Sequence, residues 1–322
     1  MGYFPEMVSV VIPTYNGRAD LERLLPMLFA QRVEFPFEVI CIDSSSTDGT
    51  WEILNEYEVK RYRIPQGEFN HGGTRNLGIS KSRGEVVILM TQDAIPADEN
   101  WMAAMVRNYA ASDVAGVYCR QLPRADGSLL PKLESVVRIT GMDQRRESRL
   151  KDHSDYHNKS PSEKWNLCNF DDICSSVRRT VWELFPFRSV NFAEDLDWSK
   201  RVFEAGYTII FEPEAKVIHS HDRTFAYEFK RSFVTWDAVE SLFGREGDGY
   251  GFIRALGSIA HAPLSLRKAY SQMSDTTFSE RIRAYYLIAA RALGRAFYNY
   301  WYRNLRISER GENLRTRFYR GV

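Results

Sequence analysis

The sequence predicts an α/β fold with a mostly parallel central sheet and helices on both faces. Strand-like and helix-like segments alternate along the first third of the chain, and short connections join them. The apolar run VVILM at 86–90 is continuous, as expected of a strand buried on both sides in a parallel sheet. Repeated strand–helix–strand units of this kind close with right-handed crossovers, which place helices on both faces of the sheet.

The elements of the first half follow from the spacing of apolar residues and turn formers. Leucines at 21, 24, 25 and 28 recur at helical spacing, whereas Pro13 is expected to end the first strand. Thr47 or Asp48 could cap the second helix. In chain order, the predicted elements are a strand at 8–12, a helix at 19–31, a strand at 37–42, a helix after the polar turn 44–48, a strand near 61–64, a helix opened by the glycine turn 70–76, and a strand at 86–90.

Polar side chains follow these strands where ligands bind in open α/β sheets, outside the carboxyl ends. Asp43 could accept a hydrogen bond from the N–H of a pyrimidine ring, or it could be a turn or cap residue. The Gly72-Gly73 turn and Arg75 would offer backbone N–H groups and a guanidinium to a diphosphate. Asp93 could hold a metal ion or a polar substrate group, or it could simply open a turn.

The second half adds an acidic helix start and a pair of histidines. Glu194 and Asp195 begin a helix that should end at Gly206; the helix dipole favours carboxylates there whatever their function, but one of them could act as a general base. Short strands are expected at 208–211 and 216–219. His219 and His221 would face the same side of an extended chain, as one or two metal ligands or as plain surface residues.

Together these motifs resemble the family 2 glycosyltransferases of the GT-A fold, and more narrowly their bacterial rhamnosyltransferase branch. The segments that carry the resemblance are SVVIPTYNG, IDSSSTDGT, FNHGGTRNLG, a strand ending in TQDA, AEDLDW and VIHSHD, with GVYCRQLPRADGS and DDICSSVRRTVWELFPF also similar. The resemblance covers about residues 7–235. It implies a GT-A domain at 1–235 and leaves 236–322 as a helical C-terminal extension.

The resemblance also implies roles for individual residues. Asp195, the second acid of the Glu194-Asp195 pair, would be the catalytic base. Asp93 would bind Mg²⁺ or Mn²⁺, with His219 as a further ligand and His221 as the second choice. Thr91 stands where the family's metal motif has its first acid. The residues expected to border the donor or the acceptor are Pro13, Tyr15, Asn16, Asp43, Arg75, Gln92, Arg120, Gln121, Asp171 and Asp172.

The implied reaction is an inverting, metal-dependent transfer from a nucleoside-diphosphate sugar. dTDP-rhamnose is the favoured donor and a UDP-sugar the alternative, with a glycan or lipid-linked glycan acceptor in cell-surface polysaccharide synthesis. A processive polysaccharide synthase is disfavoured, because the chain has neither a Gln-x-x-Arg-Trp motif nor an apolar run of membrane-spanning length. A non-catalytic nucleotide-sugar-binding or scaffolding module remains the alternative, although pure binding does not require a base.

Composition limits the remaining classes. Lys and Arg number 43 against 42 Asp and Glu, so no overall field favours nucleic acid. The four cysteines lack zinc-site spacing, which is typical of core thiols in a reducing cytoplasm. The N-terminus does not resemble a secretory signal, and the protein is expected to be cytoplasmic, at most peripheral on a membrane.

Two segments outside the motifs stay open. A long helix is expected over 278–304, with a broad apolar and aromatic face among many arginines. This helix could lie on an anionic membrane surface, or it could pack on the domain or on another subunit. The polar stretch 145–164 could be a mobile acceptor-side lid or a solvated connection.

Overall fold

The computed structural model describes residues 5–245, 250–265 and 276–320, in two compact units. The first unit consists of Met1–Leu122, Thr140–Asn158 and Asn166–His219, and the second of Pro123–Ile139, Lys159–Trp165 and Ser220–Val322. The expected boundary between 235 and 236 lies inside one continuous helix, Phe225–Phe243. The second unit therefore begins earlier than the sequence predicts and includes two segments from the middle of the chain.

The first unit is built on one mixed sheet of nine strands in the order β3-β2-β1-β4-β8-β6-β9-β5, with β7 paired to β9. The strands are β1 Val8–Thr14, β2 Phe37–Asp43, β3 Val59–Arg63, β4 Val86–Met90, β5 Ile95–Pro96, β6 Val114–Leu122, β7 Arg146–Ser148, β8 Cys174–Arg178 and β9 Thr208–Ile218. The first four strands in chain order pair in parallel, as predicted. Strand β8, however, runs antiparallel to both β4 and β6, so the sheet as a whole is mixed.

The helices of the described residues fall between these strands and in the C-terminal third. They are α1 Arg18–Phe29, α2 Thr50–Ile53, α3 His71–Lys81, α4 Trp101–Val106, α5 Leu129–Val137, α6 His153–Asn158, α7 Pro161–Leu167, α8 Arg179–Leu184, α9 Glu194–Glu204, α10 Phe225–Phe243, α11 Phe252–Ser265, α12 Phe278–Asn304 and α13 Glu309–Tyr319. The N-cap of α2 is Gly49 rather than Thr47 or Asp48; Asp48 instead accepts hydrogen bonds from the backbone N–H and the hydroxyl of Thr50.

Helices cover both faces of the sheet. Because successive residues of a strand point in opposite directions, a single strand contacts helices on both sides. Val10 and Ile12 belong to the same buried cluster as the four leucines of α1. Val11 points the other way, toward Gly78 of α3, where an added Cβ would lie 2.2 Å from the Val11 Cγ1 atom. All five residues of β4 are buried, as predicted from its continuous apolar run.

Three local predictions differ from the structure. Strand β1 continues through Pro13 to Thr14: its pairing with β4 stops at Val11, so the missing N–H of Pro13 costs no hydrogen bond on that side. The two strands expected at 208–219 are one strand, β9, with an irregular register between its pairs at Glu212 and Lys216. The polar stretch 145–164 contains regular elements, β7, α6 and the start of α7, where the sequence predicts a loop-like lid or a solvated connection.

The second unit is helical. Leu129, Leu130 and Leu133 of α5 pack against Ala284 and Leu287 of α12. The apolar face predicted for α12 is only partly buried: Leu287, Tyr298 and Trp301 are buried, whereas Ile282 and Tyr286 are exposed. Within the described residues, no helix has both the length and the apolar character that a membrane span requires.

Candidate active site

The carboxyl ends of β1 and β4 are joined by the side chain of Gln92. The backbone N–H of Tyr15 donates to Gln92 Oε1 at 2.9 Å, and Gln92 Nε2 donates to the Tyr15 carbonyl at 3.1 Å. Gly17 leaves room for this amide, since a Cβ there would lie 2.2 Å from it. Gln92 therefore fixes the backbone after half-buried Pro13, and Tyr15 is 43% exposed at the edge formed by the carboxyl ends of β1, β2 and β4, here called the rim.

A second group of hydrogen bonds surrounds Asp43 at the end of β2. The fully buried Asp43 carboxylate accepts from the Ser46 hydroxyl at 2.5 Å, from the Thr14 hydroxyl at 3.3 Å and from Arg63 Nε at 3.3 Å. Asn16 has a left-handed backbone, φ 45°, and its side chain accepts from the backbone N–H of Thr47. These contacts order the rim, and they show that Asp43 is already engaged by the chain's own donors.

The candidate metal ligands meet where β4 and β9 end. Asp93 Oδ2 lies 3.5 Å from His219 Nε2. The backbone N–H of His219 donates to the Leu122 carbonyl at 2.9 Å, which extends the β6–β9 pairing. A carboxylate oxygen suits both Mg²⁺ and Mn²⁺, whereas an imidazole nitrogen suits the transition metal Mn²⁺ better than Mg²⁺. The buried Thr91 hydroxyl has no hydrogen-bond partner among the described residues. His221 is exposed and belongs to the second unit.

Arg75 lies at the centre of a buried group of carboxylates. Its side chain is 4% exposed; it donates to the Glu194 carboxylate and to the Asp172 carbonyl, and its Nε lies 3.6 Å from Asp172 Oδ2. From the family resemblance, Arg75 is expected beside a diphosphate. In the structure its guanidinium lies among carboxylates of the turn before β8 and of the start of α9.

These carboxylates have perturbed pKa values. Burial raises the pKa of Asp172 to about 6, although Arg75 and a hydrogen bond from Ser175 act in the opposite direction. Burial, together with the negative charges of Glu194 and Asp172, raises the pKa of Asp195 well above its usual range. Asp195 Oδ2 accepts from the Asp172 N–H at 3.4 Å. A raised pKa makes a carboxylate a stronger proton acceptor than an ordinary surface acid, as a general base requires.

Helix α9 is held at this place by the segment before it. Asn76 of α3 donates to the Phe187 carbonyl at 2.7 Å and accepts from the Phe187 N–H and the Trp182 indole. Gly72 allows α3 to approach closely, since a Cβ there would lie 2.3 Å from the Arg188 carbonyl oxygen. Sequence reasoning missed Asn76, because its partners lie more than 100 residues away and leave no local pattern.

Of the residues expected beside the donor sugar and the acceptor, some are hydrogen-bonded to each other and one has a buried nitrogen without a hydrogen bond among the described residues. Gln121 Nε2 donates to Asp171 Oδ2 at 2.9 Å, which links the end of β6 to the turn before β8. Arg120 Nε is buried, and within the described part of the chain it has no hydrogen-bond partner. Thr91 is tied to the same turn, because its N–H donates to the Ile173 carbonyl at 2.9 Å. The turn 171–173 thus contacts both the metal-motif segment and Asp195.

Comparison with known proteins identifies the family of this chain. Residues 9–185 match the family described as Glycosyl transferase family 2. The O-antigen chain rhamnosyltransferase WbaN of Salmonella anatum is 31% identical over 259 residues, which cover 77% of this chain and 79% of that protein. RfbN of Salmonella typhimurium, also an O-antigen chain rhamnosyltransferase, is 30% identical with the same coverage.

A solved structure supports the fold alone. The mannosyltransferase PcManGT from Pyrobaculum calidifontis, in complex with GDP-Man and Mn²⁺, superposes with a TM-score of 0.57 at 17% identity. The superposition covers 94% of this chain and 89% of that one. The mixed sheet and the C-terminal helices therefore both have counterparts in a known glycosyltransferase structure.

Proposed function

This chain belongs to glycosyl transferase family 2 and is a glycosyltransferase of the GT-A fold, and from that premise we propose that it is an inverting, metal-dependent rhamnosyltransferase. The proposed donor is dTDP-rhamnose, with a UDP-sugar as the alternative. The proposed acceptor is a hydroxyl group of a glycan or lipid-linked glycan in cell-surface polysaccharide synthesis. The relatives named as O-antigen chain rhamnosyltransferases support the choice of sugar.

The observation that carries the mechanism is the position of Asp195 in the acidic cluster around Arg75, where its Oδ2 accepts from the Asp172 N–H at 3.4 Å and Glu194 pairs with Arg75. In the proposed step the acceptor hydroxyl attacks the anomeric carbon and its proton passes to the Asp195 carboxylate. The bond between that carbon and the diphosphate oxygen breaks, and the nucleoside diphosphate leaves. A single displacement of this kind inverts the anomeric configuration. Glu194 holds Arg75 beside the base and is a positioning residue rather than a second base.

Asp93 and His219 are the proposed holders of Mg²⁺ or Mn²⁺, with His221 as the second choice. Asp93 Oδ2 and His219 Nε2 lie 3.5 Å apart and form a partial ligand set, which substrate phosphates and water would complete. Such an ion would act as a Lewis acid that stabilises the departing diphosphate. Thr91 offers a hydroxyl where the family motif has an acid, so the protein would contribute little negative charge to the ion.

The rim residues form the proposed donor site. Tyr15 and Asn16 would border the nucleoside at the end of β1, held in place by Gln92, and Asp43 would reach the base once Arg63 or Ser46 gives up its hydrogen bond. Arg120, Gln121, Asp171 and Asp172 would line the sugar and acceptor side. The proposed setting is the cytoplasm, at the inner face of the cell membrane, where a lipid-linked acceptor would be held.

The experiment that tests this proposal is release of nucleoside diphosphate from a panel of dTDP-, UDP- and GDP-sugars. Each donor is incubated with Mg²⁺, with Mn²⁺ or with chelator, with and without a glycolipid extract as acceptor. We expect acceptor-dependent release from dTDP-rhamnose that the chelator abolishes. Release from another donor would reject rhamnose, full activity in chelator would reject the metal, and retention of configuration in the product would reject the single displacement.

A further inference from the structure

The C-terminal segment differs strongly in charge from the rest of the chain. Residues 250–322 contain 13 Lys and Arg against four Asp and Glu, a net charge of +9, whereas residues 1–249 carry a net charge of −8. The near-neutral total of +1 conceals this asymmetry. A local excess of basic side chains attracts anionic surfaces, whatever the charge of the whole molecule.

Helix α11 in this segment exposes large apolar side chains. Phe252 is 47% exposed, Ile253 88%, Leu256 62% and Leu264 65%. At 3.6 residues per turn, the four positions lie within an arc of about 120° along the helix. Side chains of this size are normally buried, so a contiguous exposed stripe of them indicates a contact surface.

The remaining faces of α11 are already accounted for. Ala255 and Ala262 are buried on the side where α11 packs against α12. Arg254 and His261 lie on the far side of the helix from the apolar stripe. Helix α11 therefore has one face for its own unit, one polar face with a basic residue, and one apolar face turned to the surroundings.

Helix α12 adds a second apolar stripe in the same unit. Phe278 is 80% and Ile282 52% exposed, one turn apart at the start of the helix. The arginines Arg281 and Arg283 next to them are also exposed. Exposed apolar side chains interspersed with arginines are the pattern of helices that lie in a membrane interface.

We propose that α11 docks on an anionic lipid membrane, with the stripe Phe252, Ile253, Leu256 and Leu264 inserted at the boundary between head groups and acyl chains. The basic side chains of 250–322 would supply the electrostatic attraction to anionic lipids, and the stripe would supply buried apolar area. A second copy of this chain is disfavoured as the occupant, because a two-fold interface would bring two segments of the same positive charge together.

The test is co-sedimentation of the full chain with vesicles of phosphatidylcholine alone and of phosphatidylcholine mixed with phosphatidylglycerol. The double variant Ile253→Asp/Leu256→Asp places charges in the stripe at exposed positions, and circular dichroism will check that it folds. Leu184→Asp is the matched control, since Leu184 is 68% exposed but belongs to the first unit. No sugar donor is needed, so the result is independent of the proposed reaction.

We expect the wild type and Leu184→Asp to bind the anionic vesicles. The double variant should bind them at least about tenfold more weakly than the wild type. Raised ionic strength should weaken binding of the wild type, because it screens the attraction to the lipid head groups. Equal binding of both vesicle types, no binding by the wild type, or full binding by the double variant would overturn the proposal. A wild-type dimer that the double variant converts to a monomer would assign the stripe to a second copy instead.

Discussion

A single cation, Arg75, sits among more carboxylates than it can neutralise. Glu194 and Asp172 both contact it, and Asp195 lies close enough to feel their charges. The group therefore carries a net negative charge when all its acids are ionised. That surplus, with burial, keeps the pKa of Asp195 high.

Replacing Asp195 by Asn should remove the base and leave the donor site intact. We expect the transfer rate to fall by about 10²–10⁴-fold, the usual contribution of a general base, while donor binding stays unchanged. Initial rates and calorimetric donor titrations measure the two effects. Asp143→Asn, at an exposed position, should change neither; turnover of Asp195→Asn near the wild-type rate would exclude this residue as the base.

The pH dependence of transfer should report the same cluster. Because the ionised Asp172 raises the pKa of Asp195, Asp172→Asn should lower that pKa. The base would then stay ionised to lower pH, so the acid limb of the rate profile should move toward lower pH. Rates measured from pH 5 to 9 give the midpoint. A midpoint that stays in place or moves upward would separate Asp172 from the base.

Donor binding measured with and without the metal ion should show which of Asp93, His219 and His221 are its ligands. Asp93→Ala and His219→Ala should weaken donor binding by about tenfold or more in Mn²⁺, as expected for loss of a ligand to the ion. In chelator they should bind the donor like the wild type. His153→Ala, in α6, serves as the control, and titration of His221→Ala tests the second choice. If both Asp93→Ala and His219→Ala bind normally in Mn²⁺, the ion is held elsewhere.

At the scale of elements, the approach of α3 to the segment before α9 brings Arg75 to its partners. Gly72→Ala would place a Cβ 2.3 Å from the Arg188 carbonyl oxygen, so one of the two segments must shift. We expect a loss of about 1–3 kcal/mol in the free energy of unfolding and reduced transfer. Urea unfolding measures the first effect.

Gly67→Ala is the control for that substitution, because an added Cβ there has no neighbour within 4 Å. It should be neutral or slightly stabilising, since alanine restricts the unfolded chain more than glycine does. Equal effects of the two substitutions would mean that the close approach at Gly72 is unimportant.

Elements defined by neighbours in sequence could be predicted, and contacts between distant segments could not. The leucines of α1 lie within one helical pattern, and β4 is a single apolar run, so both were predicted correctly. The antiparallel β8 and the partners of Arg75 were missed, since Asp172 and Glu194 are 97 and 119 residues away from it. The position of Asp43 after a strand was predicted from the sequence, and Tyr15, Asn16 and Gln92 were added by the family resemblance; neither source shows which donors already engage Asp43.

The division of the whole molecule shows the same limit. The sequence boundary at 235 reflects where the resemblance ends, whereas the second unit begins at Ser220 and includes Pro123–Ile139. Leu129 and Leu133 of that inserted segment pack on α12, some 150 residues later in the chain. Such pairing depends on which apolar surfaces fit together, and periodicity alone does not encode it.

The stability of the whole chain should depend on pH through Asp195. Its pKa is higher in the folded than in the unfolded protein, so the folded state binds more protons and its stability falls as the pH rises through the folded pKa. Asp195→Asn should therefore gain stability relative to the wild type at pH 8 but not at pH 4. Thermal unfolding at both pH values tests this, with Asp143→Asn as the control. A difference independent of pH would contradict it.

The two hydrogen bonds between Gln92 and the Tyr15 backbone limit how the metal motif could be redesigned. A designer who wishes to restore the missing acid should change Thr91, whose buried hydroxyl makes no hydrogen bond among the described residues. An acid at position 92 could accept from the Tyr15 N–H, but when ionised it could not donate to the Tyr15 carbonyl. Gln92, the middle residue of the motif, thus links the ends of β1 and β4 through its side-chain amide. A motif search that scores only acidic residues would overlook this contribution.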